Sequence, residues 1–545
     1  MAAAQTTRPA LYADVLVLGG GPAGTWAAVS AAEAGARVIL ADKGYCGTSG
    51  ATAPSGTNVW AANRDVRIHE ASIRDRHVLG GFLSERSWLD RMLERATLNR
   101  HKLEAWKYPF TFDQHGDVRY SLQGPEYMRL MRSRVKRAGV KILDHFPAVE
   151  LLADEHGVGG AVLVSLESGE SRTVHAGAVV IATGGCAFLS KALGCNVLTG
   201  DGYLLAAEAG AEMSGMEFSN TYGICAASAS VTKNAFFQYG TYTYADGTVV
   251  EGTDTDEQQI TPARIFKIQS AIAKKLNDHT IYCRFDHAGE ALQPQLRKSQ
   301  PNLFLAFDRL GINPFKDRFP VTLRLEGTVR GTGGIHIVDE TCATTVPGLY
   351  AAGDAATREF IAGAFSGGGS HNAAWAMSSG SFAGEAAAAY SKRLSASVLG
   401  RSLKGLSTTP QTSAASSSPL VSAKTQEFVR AVQDEVMPYD RNFFRTEYKL
   451  CESLIRLNGV WANLREGASA AGVQTVRYRE AAAMAATARW MYASALARPE
   501  SRGMHQYEDY PELDPAQQRR LLSGGLDDVW VKPHQPAPAH SHSPF

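Results

Sequence analysis

The sequence predicts an α/β (α+β) chain: a parallel-sheet domain, a second domain inserted into it, and a helical domain appended. Three observations carry this. Residues 13–18, of strand length and continuously apolar from Val15, enter Gly19-x-Gly21-x-x-Gly24; an Ala-rich helical stretch follows, and a second, mostly apolar run ends on Asp42. From residue 213 to 332 the texture turns aromatic-rich and loop-heavy, as an inserted domain would. From residue 425 to 494 apolar residues recur at helical spacing.

The first segment is a Rossmann-like βαβ unit. Gly19 allows the tight turn, Gly21 lets backbone approach a pyrophosphate, and Gly24 lets helix and strand pack closely. Pro22 and Ala23 open the helix, whose N-terminus offers free N–H groups and partial positive charge to phosphates. Asp42 is placed to accept from a ribose hydroxyl, with Lys43 beside it. An appended loop, residues 47–58, contains Thr48, Ser49, Gly50 and Ala51.

A polar, charged segment then runs to about residue 107, with helical spacing over 87–106. Short strands at 110–112 and 118–120 flank Gly116; helix 127–138 and strand 140–146 follow. Residues 149–152, beginning at Val149, 160–167 and 171–175 read as a three-strand meander. An apolar strand, 178–182, ends at Ala182 and enters Thr183-Gly184-Gly185; a small helix spans 200–210. After the insertion come strands 333–338 and 348–352, the second closed by Gly353-Asp354. A Gly-rich turn leads through Ser370, His371 and Asn372 into a long Ala-rich helix ending near residue 390.

Residues 391–422 are rich in Ser and Thr, contain Pro410 and Pro419 and lack periodicity, so a solvated linker is expected. The Pro/His-rich end reads as a disordered tail; His534, His540 and His542 offer imidazoles there, and no metal site is expected. The expected limits are 1–212 and 333–390 for the nucleotide-binding domain, 213–332 for the insertion, 391–424 for the linker, 425–530 for the helical domain and 531–545 for the tail.

Composition excludes several function classes. Lys plus Arg number 55 against 54 for Asp plus Glu, so no global field recruits nucleic acid or an acidic membrane. Seven cysteines are scattered without a CxxC, which argues against zinc or an iron–sulfur cluster held by this chain. No run of about 18 apolar residues predicts a transmembrane segment. Residues 1–12 lack the apolar centre of a secretory leader, and a cytoplasmic location is expected.

Three separated segments fit one flavin site: the Gly19 turn with Asp42, the strand end at Thr183-Gly184-Gly185, and Thr345-Val-Pro-Gly-Leu-Tyr-Ala-Ala-Gly-Asp354. In that order they point to FAD rather than a nicotinamide. The chain resembles the flavoprotein family of succinate dehydrogenase, fumarate reductase, L-aspartate oxidase and adenylylsulfate reductase over nearly its whole length. The block Ala495-Leu-Ala-Arg-Pro-Glu-Ser-Arg-Gly-Met-His505, with Glu508-Asp-Tyr-Pro511 after it, is similar to the family's C-terminal segment. The resemblance implies a Rossmann-like FAD-binding domain, an inserted capping domain that closes over the substrate, and a C-terminal helical domain.

Departures from the family pattern discriminate further. In the membrane-bound members a histidine bonded covalently to flavin follows the loop serine; here Gly50 follows Ser49, so the resemblance implies non-covalent FAD. Two histidines and an arginine grip dicarboxylates in the family; here the aligned positions read Tyr222, Val329 and the Gly367-Gly368-Gly369 turn. A carboxylate in a dry site needs charge-assisted donors, so succinate or fumarate is disfavoured. Ser49-Gly50-Ala51 and Met377-Ser-Ser-Gly-Ser-Phe382 resemble the adenylylsulfate reductase branch.

Three side chains are the candidate catalytic groups. Arg330 either binds an anion near the flavin or forms a surface ion pair. Tyr222 is a hydrogen-bonding acid or a packing residue, and His336 a site residue or a satisfied structural histidine. The implied enzyme is an FAD-dependent oxidoreductase that passes electrons between a small non-dicarboxylate substrate and a ferredoxin-type iron–sulfur protein or subunit, in a homo- or hetero-oligomer. A fumarate reductase-like or L-aspartate oxidase-like enzyme with a rearranged site, and a non-catalytic flavin relay, are the alternatives.

Overall fold

The computed structural model describes residues 9–63, 65–112, 118–232, 234–253, 262–366, 369–394, 400–407, 419–467 and 472–535. Its central sheet has five parallel strands in the order Leu349–Ala351, Ala178–Ile181, Val15–Leu18, Val38–Asp42 and Lys141–Asp144. Val15–Leu18 lies in the middle, with Val15 opposite both Val38 and Ala178, and all four of its residues are buried. A parallel strand covered on both faces has no polar side to show, hence its unbroken apolar run.

One face is covered by helix Pro22–Glu33, which lies against the long helix Gly369–Arg393. Gly380 and Gly384, one turn apart, make that contact: a Cβ on them would stand 2.3 Å from the Ala23 carbonyl oxygen and 2.2 Å from that of Ala27. Backbone therefore meets backbone, and larger residues at either position would force the helices apart.

The meander forms a second sheet, Leu11–Tyr12, Ser171–His175, Gly157–Val164, Ala148–Asp154 and Lys404–Gly405 in that order. Its last strand corrects the sequence reading of 391–424 as a solvated linker. Lys404–Gly405 pairs antiparallel with Ala148–Asp154, and Arg401 donates from Nε to Asp154 Oδ2 at 2.8 Å and from Nη2 to Oδ1 at 2.5 Å. Helix Pro419–Val436 also begins before the expected limit. Two residues of edge pairing and one arginine carry no periodic signal. Pro410 lies outside the described residues.

The insertion builds a four-stranded antiparallel sheet, Thr221–Ala226, Phe319–Gly327, Ile281–Arg284 and Thr241–Thr243. Its aromatic texture becomes a core: Phe237, Phe285, Phe307 and Phe319 are buried together, the last two with ring centroids 4.6 Å apart. Phe319–Gly327 alternates buried and half-buried residues until Leu325, after which Glu326 and Gly327 are buried too.

Helices Glu447–Glu466 and Val473–Leu496 form the helical domain, the second buried along most of its length. The chain then returns as strands Leu521–Gly524 and Trp530–Pro533, which extend the pair formed by Met213–Ser214 and Gly334–Ile335. The expected tail is thus corrected through His534: Trp530–Pro533 is a strand, Lys532 pairs with Glu212 at 2.6 Å, and the His534 N–H donates to the Arg520 carbonyl. Pro and His content suggested mobility, but the partners are distant in sequence. His540 and His542 lie outside the described residues. Strand 333–338 contracts to Gly334–Ile335, and Val66–Leu79, within the segment read as polar and charged, is a helix capped by Asp65.

The buried Arg401–Asp154 pair yields a test. Asp154→Ala leaves a buried guanidinium without its carboxylate and is expected to lower stability by about 3–5 kcal/mol in urea unfolding. A loss under about 1 kcal/mol would show that the pair behaves as an exposed one.

Candidate active site

One elongated cavity of about 280 Å³ runs along the ends of the central strands and is lined by all three flavin segments. Gly19 has φ +108°, and a Cβ there would stand 2.2 Å from the Ala182 carbonyl oxygen; one on Gly24 would stand 1.8 Å from that of Gly19. Gly21 differs: no atom lies within 4 Å of the place its Cβ would take, and it borders the cavity. It is also the N-cap of helix Pro22–Glu33, and no side chain caps it. An uncapped helix start beneath an open backbone is an anion cradle.

Asp42 closes this end. It accepts from the Gly44 N–H at 2.7 Å and from Ser49 Oγ, which lies 2.9 Å from each carboxylate oxygen. Burial pushes its carboxyl up, against those hydrogen bonds. Lys43 borders the cavity, yet its ammonium is committed to Asp201 at 2.6 Å, Glu480 at 2.8 Å and Thr199 Oγ1 at 2.8 Å.

At the far end the Gly353-Asp354 turn is pinned by the long helix. The Gly353 N–H donates to Ser379 Oγ at 2.9 Å, and Trp375 Nε1 donates to the Gly353 carbonyl at 3.0 Å. Asp354 Oδ1 accepts from Arg358 Nη1 at 2.6 Å; that guanidinium, fully buried, also donates to the carbonyls of Val329 (3.0 Å) and Thr328. Burial raises the Asp354 carboxyl, and Arg358 and then Arg330 oppose the rise. Arg358 thus ties the third flavin segment to the turn that carries Arg330.

Arg330 borders the cavity with a third of its side chain exposed, and its Nε lies 3.7 Å from Glu326 Oε1. Glu326 is buried and accepts from Thr232 Oγ1 at 2.7 Å. Gly50, Ala51, Thr183, Gly184 and Asn372 also line the cavity. Thr183 Oγ1 and Asn372 Oδ1 are buried without a hydrogen-bond partner among the described residues. An open glycine cradle, an uncapped helix start and orphaned polar atoms fit a bound dinucleotide.

Several expected residues stand elsewhere. The Tyr222 hydroxyl donates toward the carbonyls of Val436 (3.0 Å) and Met437 (3.1 Å), so it closes a helix end and is no catalytic acid. His336 packs in the interior near Phe360 and His534, and burial pushes its imidazole down to about 3. His371 is buried beside Ser366 Oγ at 3.4 Å and held neutral by burial and by Arg76. Thr48, Val149 and Ser370 do not line the cavity: Val149 packs with Val164 and Val476, and Ala148 takes the lining place. Gly24 serves packing alone. A strand alternates faces and a helix turns 100° per residue, so neighbours of a lining residue point away from it. Glu326, Thr232, Asp201 and Arg358 were not singled out in the sequence. The only signal for Arg358 is its place four residues after Asp354, and Thr232 meets Glu326 only through sheet geometry.

Comparison with known proteins accords with this arrangement. Residues 14–371 match the model described as FAD binding domain, and residues 431–532 the one described as fumarate reductase flavoprotein C-term. The chain belongs to the FAD-dependent fumarate reductase and L-aspartate oxidase flavoprotein family. It is 26% identical to L-aspartate oxidase of Streptomyces coelicolor over 94% of this chain and 91% of that one. It is also 26% identical to the fumarate reductase flavoprotein subunit of Mycobacterium tuberculosis, over 63% of this chain and 64% of that one. Among solved structures it is similar in fold to an E. coli quinol fumarate reductase chain, with a TM-score of 0.78, 21% identity and coverage of 97% and 99%. Adenylylsulfate reductase of Archaeoglobus fulgidus gives 0.76, 18% identity and coverage of 99% and 98%. The flavoprotein is an FAD-dependent oxidoreductase, and the cavity residues fit that dinucleotide. No helix among the described residues is long and apolar enough to cross a membrane.

Two tests follow from this geometry. The Cβ of Gly21→Val would have no atom within 4 Å and the residue suits the extended backbone there, whereas its side chain would fill the diphosphate cradle. The variant is expected to purify folded, with apo stability within about 1 kcal/mol of the parent, and to retain no flavin absorbance; a flavin-replete variant would contradict the cradle. His336 is neutral in the fold while an unfolded imidazole titrates near 6.5. Below that pH only the unfolded state binds the proton, so stability drops as pH falls toward 3. Relative to His336→Asn, the parent should lose about 1.4 kcal/mol between pH 7.5 and 5.5; equal pH dependence would place the imidazole in water.

Proposed function

We propose that this flavoprotein oxidises or reduces a small substrate that is not a dicarboxylate, and exchanges the electron pair with a ferredoxin-type iron–sulfur partner. The observation that carries the first half is the charge of the substrate end. Arg330 stands there beside buried Glu326, Val329 occupies one family histidine position, and Tyr222, at the other, is tied to a helix end. Lys43, the other cationic side chain among the described lining residues, is matched by two carboxylates. A dianion would face one arginine already offset by a glutamate, too little charge to replace its hydration.

Bound FAD supplies the two-electron chemistry. The chain's own residues position and shield. Arg330 anchors an anionic group of the substrate, the Gly353-Asp354 turn holds the cofactor chain from the strand end, and the capping sheet excludes water. The N-terminus of helix Gly369–Arg393, at Asn372, contributes partial positive charge that favours an anionic reduced ring. With Gly50 in the loop where the covalent members carry histidine, the cofactor is held non-covalently.

The partner half rests on the likeness of Ser49-Gly50-Ala51 and of residues 377–382 to the adenylylsulfate reductase branch, and on cysteines that stay single. All seven are free, and six are buried apart from one another in sequence. The second reading is an L-aspartate oxidase-like activity, favoured by alignment over 94% of the chain.

The experiment is anaerobic mixing of the FAD-loaded protein with a panel of sulfur, nitrogen and carboxylic compounds that includes succinate, fumarate and L-aspartate. Bleaching is expected with a compound bearing no more than one carboxylate, and Arg330→Gln should raise its KM at least about ten-fold at unchanged flavin content. Bleaching by L-aspartate alone selects the second reading. Full turnover with oxygen and no copurifying iron–sulfur protein would sink the partner.

A further inference from the structure

A small recess opens from the cofactor cavity and shares Ala51, Ser55, Val329 and Arg330 with it. The residues that line the recess alone are Glu326, Thr232, Cys195, Leu193 and Val231. We propose that this recess is the headgroup subsite for a small zwitterion, taking the ammonium against Glu326 while the anionic group lies outside it beside Arg330. The inference deepens the non-dicarboxylate reading and rests on it for which end of the cavity receives substrate.

Size decides what enters. The recess measures about 10 Å³, room for roughly one water-sized group. Stripped of hydration, an ammonium is one group of that size, whereas a carboxylate brings two oxygens. Charge decides the orientation. Glu326 Oε1 accepts from Thr232 Oγ1 at 2.7 Å, while Arg330 Nε stops at 3.7 Å, beyond hydrogen-bonding distance. Among the described residues, one acceptor position on that oxygen therefore remains for a ligand donor. The arginine, a third exposed while the glutamate is nearly covered, faces the wider space.

The surroundings strengthen both contacts. Cys195 is buried, and burial holds its thiol protonated, so it adds no charge. Val329, Val231 and Leu193 exclude water, and charge-assisted hydrogen bonds gain in such a setting. Arg330 and Glu326 cancel one another in the free protein. A ligand with both signs satisfies the two, whereas a monoanion leaves Glu326 unmatched and a dianion adds uncompensated charge.

The test uses FAD-loaded protein and reads binding by calorimetry and thermal shift, with no turnover required. The probes are glycine, acetate, methylammonium and succinate. Glycine is expected to bind at least about ten-fold more tightly than each of the others. Glu326→Gln should weaken glycine at least about ten-fold and leave acetate unchanged or tighter. Glycine no tighter than acetate or methylammonium, succinate as the tightest probe, or glycine binding indifferent to the substitution would overturn the assignment. Should the variant lose its flavin, the ranking on the parent protein decides alone. Tight glycine binding in a protein whose flavin no compound bleaches would sink the functional reading and leave this subsite. Turnover of a substrate lacking an ammonium would do the reverse.

Discussion

Backbone must approach backbone where the cofactor lies, and much of the architecture follows from that constraint. Gly19 presses on Ala182, Gly24 on Gly19, and Gly380 and Gly384 on helix Pro22–Glu33, each nearer than a Cβ permits. These contacts bring the middle strand, its neighbour Ala178–Ile181 and two helices to one line. Gly21 alone in that set faces empty space. Close packing elsewhere fixes the chain so that this one residue can leave room.

A second layer of order comes from charges buried in pairs. Arg358 joins Asp354 to the turn before Arg330, and Lys43 joins Asp201 to Glu480 on the helical domain. Near the C-terminus Arg498 pairs with Glu217 and Glu500, Arg502 with Glu500, and Arg445 donates to His505 Nδ1 at 2.7 Å. His505 Nε2 then carries the proton and donates to the Arg498 carbonyl at 3.1 Å. Breaking such a pair leaves a bare charge in the interior, so the pairs enforce one relative placement of the segments more than they add stability. Met213–Ser214 and Gly334–Ile335, the two ends of the insertion, pair with each other, and the returning strand Leu521–Gly524 pairs with the other edge of Met213–Ser214. The C-terminal segment thereby braces the strand from which the insertion departs.

On the proposed reading, the substrate end differs from the family pattern in the balance of its charges. Where a dicarboxylate site needs several cations, this one sets an arginine against a glutamate and leaves a narrow recess between them. Tyr222 and His336 line neither the cavity nor the recess and serve packing elsewhere. A cavity lined by opposite charges selects by dipole, while one lined by cations selects by net charge.

The sequence by itself determined the βαβ unit, the order of the three flavin segments, the inserted aromatic domain and the family. These depend on local conformation, on period and on residues that must be glycine wherever the chain goes next. It was silent on Lys404–Gly405 and Trp530–Pro533, whose pairing partners lie far away in the chain. It also set Val149, His371 and Thr48 beside true lining residues, because adjacency in sequence does not fix the side a residue faces. Only the tertiary structure decided that Tyr222 is used by a helix end, that Glu326 meets Arg330 and Thr232, and that Lys43 is held by Glu480. Each of those outcomes turns on distances between strands and helices that approach only after the chain has folded, and no spacing in the sequence encodes them.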